Sequence, residues 1–300
     1  MNNILVGCGQ ITWVRFGANG AEWLAPEEEV LAQIAQAGYQ GAPAGPEGDR
    51  TVQQTRELYA RYGLAAAPGY LGTAFWEKSR QSEIVERARR HAHFSRELGC
   101  DALYVAPGGF DYVTSSGLTR RQTAGHVRPE DALRDDEYQV FAETLNLVGA
   151  ATLAEGVYSC FHNHVGTVIE TRAETDRLLA LTDPNLVFLG PDTGHMQWAG
   201  DDAVAFCRDY ASRIKTMHLK DISESVRAQG AAAKWDYGTF TDHGIFAELG
   251  EGCIDFGAIM ADLRAANFSG WLITETDVTQ KATPLESVTI SREYLRQFGI

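Results

Sequence analysis

The sequence predicts a single α/β domain over residues 1–300, folded as a closed (β/α)8 TIM barrel. Eight short apolar runs typical of strands alternate with eight amphipathic segments typical of helices, and no linker interrupts them. Parallel strands need a connection of a dozen or more residues, usually a helix, so this alternation indicates parallel βα units. About 250 residues are typical of eight such units, and this chain is long enough to hold them.

The predicted strands are apolar runs that end at glycine, proline or a polar residue. In chain order they span residues 4–6, 41–44, 64–67, 102–106, 157–161, 186–189, 214–219 and 270–274. The second strand is the weakest of the set. Pro68 and Gly69 are expected to turn the chain after the third strand.

The predicted helices carry apolar residues on one face, and most of them end near a glycine. The first begins at Pro26, with three glutamates near its positive end, and stops at Gly38. The others span residues 51–62, 81–98, 137–154, 172–181, 201–210, 256–266 and 285–298. The connection 107–135 is unusually long for a compact domain, which favours a functional loop.

An open doubly wound sheet would also alternate strands and helices, and Gly7-Cys8-Gly9 could begin a dinucleotide-binding fingerprint. The third glycine of that fingerprint is replaced by Thr12, and Trp13 follows where a helix should begin. The barrel is therefore the favoured fold.

Composition narrows the function. The formal charge is −14, and runs of Lys and Arg are missing from the sequence. Nucleic acids and anionic membranes attract basic patches, so a small-molecule partner is expected.

Five widely spaced cysteines without a CxxC pair favour reduced, buried thiols in a cytoplasmic protein. The amino terminus has no basic leader, and no apolar stretch approaches the length of a membrane span.

Titratable side chains follow four successive predicted strands. They are His162 and His164 after strand five, Asp192 and His195 after strand six, His218 and Lys220 after strand seven, and Glu275 after strand eight. In a barrel the carboxyl ends of the strands converge on one mouth. Because burying an unpaired charge is costly, whereas divalent ions bind oxygen and imidazole donors together, the pattern predicts a metal site.

Each of these side chains also has a structural explanation when taken alone. A histidine at a strand end is more often a hydrogen-bonded structural residue than a ligand. Asp192 suits an Asx turn after Pro191, Glu275 suits a solvated loop, and Lys220 could pair with Asp221 at the surface. Their recurrence at four consecutive strand ends is what favours the metal site.

Several of these segments carry a resemblance to a known family. The matching stretches are FHNHVGT (161–167), DTGH (192–195), MHLKD (217–221), GIFAELGEGCIDF (244–256) and GWLITE (270–275). The chain resembles the sugar phosphate isomerase/epimerase family of xylose isomerase-like TIM barrels, and within it the inosose (2-keto-myo-inositol) dehydratases. Isomerases, epimerases and dehydratases share this scaffold.

The resemblance implies a divalent metal held by one group from each of strands five to eight. On this chain the implied ligands are His162, Asp192, His218 and Glu275, with His162 standing where many relatives have glutamate. Mn²⁺ or Co²⁺ is the expected ion, and Zn²⁺ or Mg²⁺ would also be compatible. Dimers and tetramers are common in the family, so a homo-oligomer is also implied.

The resemblance implies a dehydratase acting on a keto-polyol such as an inosose, and the ligand set is consistent with that chemistry. A bound ion would act as a Lewis acid on the keto oxygen and stabilise an enediolate. Glu275 or a strand-five histidine would remove the neighbouring proton, and His164, His195 or Lys220 would assist departure of a β-hydroxide. The alternative is a ketose isomerase or epimerase using the same enediolate, which the loss of a carboxylate at position 162 weakens.

Four further residues are candidate substrate contacts. Trp13 and Trp198 lie near presumed loops at the mouth, where aromatic rings either stack on a sugar or pack beneath a loop. Arg120 lies in the long fourth loop, where it either closes over substrate or pairs with the acidic surface. Glu248 could reach a polyol hydroxyl or lie in a solvated turn.

Two rival classes share parts of this pattern. A sugar-binding protein would share the pocket and its aromatic residues but would not need a divalent ion beside a base. A metal-dependent phosphodiesterase of the endonuclease type would need more ligands and a basic rim for DNA, which the charge of −14 disfavours.

Overall fold

The computed structural model describes residues 4–17, 20–46, 48 and 50–300. Its strands, in chain order, are β1 (Ile4–Cys8), β2 (Val14–Gly17), β3 (Gly20–Trp23), β4 (Gly41–Pro43), β5 (Ala65–Ala67), β6 (Gly69–Thr73), β7 (Ala102–Pro107), β8 (Tyr158–Phe161), β9 (Val187–Leu189), β10 (Thr216–Leu219), β11 (Asp221–Ile222), β12 (Phe246–Ala247) and β13 (Gly270–Thr274).

The helices surround these strands. They are α1 (Glu27–Ala37), α2 (Val52–Arg61), α3 (Gln81–Glu97), α4 (Asp135–Ala154), α5 (Arg172–Ala180), α6 (Thr193–Trp198), α7 (Ala203–Tyr210), α8 (Glu224–Ala233), α9 (Tyr237–Asp242), α10 (Phe256–Ala265) and α11 (Pro284–Arg296). Short 3-10 turns lie at Gln10–Trp13, Lys78–Arg80, Pro129–Asp131 and Ala211–Arg213.

The parallel strands close into the predicted barrel. One sheet has the order β10-β13-β1-β4-β5 and the other the order β6-β7-β8-β9. β5 runs into β6 along the chain, and isolated parallel bridges, Leu189 with Ile214 and Asp192 with His218, join β9 to β10. Counting β5 and β6 as one interrupted strand gives eight barrel strands, which confirms the fold class.

The third barrel strand is longer than predicted. Pro68 and Gly69 do not turn the chain back, because the strand resumes at Gly69 and pairs with β7 up to Thr73. Proline lacks the N–H that a sheet ladder uses, so it interrupts the pairing, but its backbone suits an extended chain. This interruption, together with the sparse pairing between β9 and β10, divides the barrel wall into two hydrogen-bonded sheets.

Several short elements near the carboxyl ends of the strands were not predicted from the sequence pattern. They are the hairpin β2–β3, the antiparallel pair β11–β12, and helices α6, α8 and α9. α6 begins directly after Asp192, whose carboxylate accepts a hydrogen bond of 2.9 Å from the backbone N–H of His195. This N-terminal cap explains why a polar, glycine-containing stretch turns helical there.

The core lies between the strands and the outer helices. Buried apolar residues from the strands, among them Val105, Phe161 and Leu272, pack against Phe141 and Leu263 of the helices. Four of the five cysteines are buried and Cys253 is exposed, all with free thiols. Within the described residues, none of the helices is long and apolar enough to cross a membrane.

Gly149 lets α4 pack closely against the segment that leads into β9. A Cβ atom at this position would lie 2.3 Å from the carbonyl oxygen of Leu186. We expect Gly149→Ala to lower the free energy of unfolding by about 1–3 kcal/mol, because overpacking outweighs the better helix propensity of alanine.

Chemical denaturation measures this effect. Leu147→Ala on the same helix is the matched control, because Leu147 is 43% exposed and its truncation should change stability little. A Gly149→Ala protein as stable as the wild type would contradict the close packing.

Candidate active site

A cavity of about 1140 Å³ opens at the carboxyl ends of the barrel strands. Five of the predicted site residues line it, namely His162, His164, His218, Lys220 and Glu275. Asp192 and His195 are fully buried immediately behind this wall. Both contact Lys220, which is part of the wall. The strand ends therefore converge as the barrel geometry requires.

The four implied metal ligands lie together. His162, Asp192 and His218 each offer a donor atom, and these atoms lie within 4.8 Å of one another. Glu275 is not a member of this group of three, but it lies next to it, with its Oε2 3.0 Å from Nδ1 of His218. The four side chains come from four neighbouring barrel strands, so the sheet spacing itself sets their separation.

His162 is held in one orientation and one tautomer. Its Nδ1 lies 3.0 Å from the carbonyl oxygen of Gly190, which can only accept, so Nδ1 carries the proton and Nε2 keeps its lone pair. The rings of Tyr70 and Tyr104 pack edge-on against the imidazole. Burial, reinforced by His218, lowers the pKa of His162 well below its usual value, so the ring is neutral as a ligand must be.

Polar atoms in this group lack the hydrogen bonds that buried groups normally make. Asp192 Oδ2 and His218 Nδ1 are buried without a hydrogen-bond partner. Lys220 Nζ lies 3.0 Å from the first and Glu275 Oε2 lies 3.0 Å from the second, but neither contact is a well-directed hydrogen bond. A buried carboxylate oxygen and a buried imidazole nitrogen that lack hydrogen-bond partners are suitable ligand atoms for a divalent cation.

Three carboxylates surround the ammonium of Lys220. Its Nζ lies 2.8 Å from Asp277 Oδ1, 3.0 Å from Asp192 Oδ2 and 3.4 Å from Glu275 Oε2. Burial opposes the positive charge, but Asp192, Asp277 and Glu275 outweigh it and raise the pKa of Lys220 well above its usual value. Burial alone would raise the pKa of Glu275, because it disfavours the charged carboxylate. His218 and Lys220 outweigh this effect and lower the pKa to about 2. Both groups are therefore charged at neutral pH.

Two more imidazoles lie against Lys220. Lys220 Nζ donates to Nε2 of His195 at 3.1 Å, and the ring of His195 lies 3.7 Å from that of His164 between centroids. His164 donates from Nδ1 to the carbonyl oxygen of Val165 at 2.7 Å, which leaves Nε2 with the lone pair. Burial, and after it the charge of Lys220, lowers the pKa of His164 to about 3, so this ring is neutral.

None of the four predicted substrate contacts lines the cavity. Trp13 is buried, and its Nε1 donates to Gln33 at 2.8 Å. Trp198 is buried with its ring stacked 6.1 Å from that of His195. Glu248 is buried and accepts from Thr279 at 2.6 Å. These three side chains are buried outside the cavity lining, so the prediction that they face substrate is corrected.

Arg120 also differs from the prediction, because it is completely buried. Its guanidinium makes a bidentate pair with Glu174 at 2.8 and 3.0 Å, and it donates to the carbonyl oxygens of Thr167 and Asp131. The neighbouring Arg121 lines the cavity instead, with its guanidinium 4.6 Å from the ring centroid of Phe110. Arg120 thus fastens the fourth loop to α5, and Arg121 is the residue at the mouth.

The cavity also contains residues that the sequence pattern did not select. They include Tyr70 from β6, Phe110 from the fourth loop, Tyr237 from α9, and Asp277 after β13. Asp277 could have been predicted from the sequence, because it follows Glu275 by two positions. Side chains two residues apart on an extended chain point to the same side. No periodicity marked α9, since this helix has only six residues.

The fold and the site together define a TIM barrel with metal-type donors at the carboxyl-end mouth. The family model of the xylose isomerase-like TIM barrel matches residues 31–298, so the chain belongs to that family.

Its relatives include proteins named inosose dehydratase. That of Geobacillus kaustophilus is 30% identical over 98% of this chain and 94% of the relative. That of Clostridium perfringens is 27% identical over 99% of this chain and 98% of the relative. A probable 3-DHS dehydratase from Bacillus anthracis has the same fold, with a TM-score of 0.68 at 14% identity over 99% of both chains.

The buried guanidinium of Arg120 generates a stability prediction. We expect Arg120→Ala to lower the free energy of unfolding by about 3–5 kcal/mol, because it leaves the carboxylates of Glu174 and Glu170 buried without their cation. Denaturant unfolding followed by circular dichroism measures the difference.

The adjacent arginine provides the control. Arg121→Ala removes the same group from an exposed position and should change stability by no more than about 0.5 kcal/mol. Equal effects of the two substitutions would show that the buried pair is not what holds the loop.

Proposed function

We propose that the protein is a divalent-metal-dependent dehydratase acting on an inosose or a closely related keto-polyol. The observation that carries this proposal is that His162, Asp192 and His218 form one group of ligand atoms, next to Glu275 and to the ammonium of Lys220, at the wall of the cavity. Near full-length similarity to inosose dehydratases supports the choice of substrate.

In this proposal His162 Nε2, Asp192, His218 and Glu275 hold the metal, with Mn²⁺ or Co²⁺ as the expected ion. When bound, the ion supplies Lewis acidity at the substrate carbonyl. Asn163 steadies the ligand set, because its side chain accepts from the backbone N–H of Asp192 at 3.0 Å and donates to the carbonyl of the same residue at 3.3 Å.

The chain offers two bases for the proton next to the carbonyl. Glu275 lines the cavity as a carboxylate. His164 lines it as a neutral imidazole with a free lone pair on Nε2. A base must lie within hydrogen-bond reach of the proton it removes, and both side chains lie on the wall that a bound keto-polyol would touch.

Elimination also requires help for the departing hydroxyl. Lys220 lines the cavity as an ammonium and can donate a hydrogen bond to the oxygen as the C–O bond breaks. The same ammonium donates to Nε2 of His195, and this contact helps to hold Nζ in position. One proton leaves carbon, one hydroxide leaves the neighbouring carbon, and the two together make water.

The remaining walls suit a cyclic polyol. Tyr70, Phe110 and Tyr237 offer aromatic surface for the C–H faces of a ring, and Arg121 and Thr279 offer hydrogen bonds for hydroxyls. The cavity is slightly larger than the range of about 300–1,000 Å³ usual for small-molecule sites. It therefore leaves room for a cyclitol together with water.

An assay of inososes and ketoses tests the reaction type. We expect metal-loaded protein to convert 2-keto-myo-inositol into a conjugated dione, which ultraviolet absorbance detects, and chelation to abolish the activity until Mn²⁺ or Co²⁺ is restored. Uptake of solvent deuterium without dione would instead support the isomerase or epimerase alternative. Ligand binding without any turnover would support a sugar-binding protein.

A ligand variant tests the metal assignment separately from catalysis. Asp192→Asn keeps an oxygen to cap α6 but removes the carboxylate charge, so we expect metal affinity to fall by at least about tenfold. Elemental analysis after equilibrium dialysis measures this change. Asp242→Asn, at the cavity wall, is the control and should retain the metal; unchanged affinity in Asp192→Asn would remove Asp192 from the ligand set.

A further inference from the structure

A second set of metal-type donors lies beside the first. His164, His195 and Asp277 each offer a ligand atom, and these atoms lie within 4.8 Å of one another. His195 and Asp277 are buried, with Nε2 of the imidazole 3.8 Å from Oδ2 of the carboxylate. Two imidazoles and a carboxylate at this spacing could hold a divalent ion.

The ammonium of Lys220 lies within this second set. Its Nζ is 3.1 Å from His195 Nε2 and 2.8 Å from Asp277 Oδ1. It also contacts the first set through Asp192 at 3.0 Å and Glu275 at 3.4 Å. A single positive charge therefore lies between donors that would otherwise be free to bind a second ion.

Lys220 is packed so that its ammonium has little freedom to leave. A Cβ atom on Gly194 would lie 2.7 to 3.1 Å from the Cγ, Cβ and Cδ atoms of Lys220, so α6 begins directly against the lysine stem. Thr193 fixes the backbone on both sides, since its hydroxyl donates to the Lys220 carbonyl at 2.8 Å and accepts from the Lys220 N–H at 3.0 Å. The ring of Phe246 lies 5.6 Å from Nζ.

Charge favours one metal ion together with the lysine. Among the described residues, the carboxylates that contact Nζ of Lys220 are Asp192, Glu275 and Asp277. One divalent ion and one ammonium neutralise their three negative charges. A second divalent ion beside the ammonium would leave two positive charges in excess, and buried uncompensated charge is strongly unfavourable.

We propose that the Lys220 ammonium takes the place of a second metal ion in the donor set of His164, His195 and Asp277, so that the chain binds one divalent ion and not two. The inference rests on the proposed function for the first ion at Asp192 and His218. Replacing Lys220 by an uncharged side chain of similar length is then expected to create a two-metal site.

Lys220→Met in the full-length protein tests this directly. We expect equilibrium dialysis against Mn²⁺ followed by elemental analysis to give one ion per wild-type chain and two per Lys220→Met chain. The electron paramagnetic resonance spectrum of the variant should show coupling between neighbouring Mn²⁺ ions. Adding His195→Ala to Lys220→Met should return the count to one, and Lys78→Met, which removes a surface charge, should leave it at one.

The outcomes separate the two proposals. Two ions in the wild type, or no additional ion in folded Lys220→Met, would overturn the role of Lys220. Should Lys220→Met fail to fold, the number of Mn²⁺ ions bound per wild-type chain decides. One ion per chain would agree with the proposal, and two would contradict it. No ion in the wild type would refute the first metal site, and a His195-dependent ion gained by Lys220→Met would still support this inference.

Discussion

The burial of three carboxylates around one ammonium is the constraint on which the candidate site depends. Asp192, Glu275 and Asp277 would repel one another strongly away from water, and Lys220 offsets only one of their charges. A cluster left with excess negative charge attracts a cation. In the proposed function this surplus at the mouth of the barrel is the electrostatic basis of metal binding, and in the role we propose for Lys220 the ammonium limits how much positive charge can be added.

The surrounding fold holds that ammonium in place through the residues next to it. Asp221 follows Lys220, and its carboxylate accepts five backbone N–H bonds, one from Ile222 and four from residues 250–254. On the preceding strand, Asp192 caps α6 with one oxygen while the other contacts Lys220. Positions adjacent to the site thus tie it to loops that the sequence pattern treats as surface, which gives the rigidity that a preorganised site needs.

Strand periodicity was sufficient to predict the barrel and the convergence of its polar strand ends, because both follow from local pattern and general topology. It was not sufficient for side chains whose direction depends on short loop elements. Arg120 and Arg121 are adjacent residues of the same type, yet Arg120 is buried against α5 and Arg121 lines the cavity. Likewise Tyr237 lines the cavity from α9, a helix of only six residues, and no run of that length has a measurable period.

The imidazole at position 162 is consistent with the same electrostatic constraint. A glutamate at this position would add a fourth negative charge, which one divalent ion and one ammonium could not neutralise. His162 supplies a neutral donor fixed by the Gly190 carbonyl, so the ligand number is kept without the extra charge. Epimerisation needs proton transfer on both faces of a carbon, whereas loss of water needs one base and a donor for the leaving oxygen. A site with a histidine at position 162 and a buried lysine at position 220 is better suited to the second task.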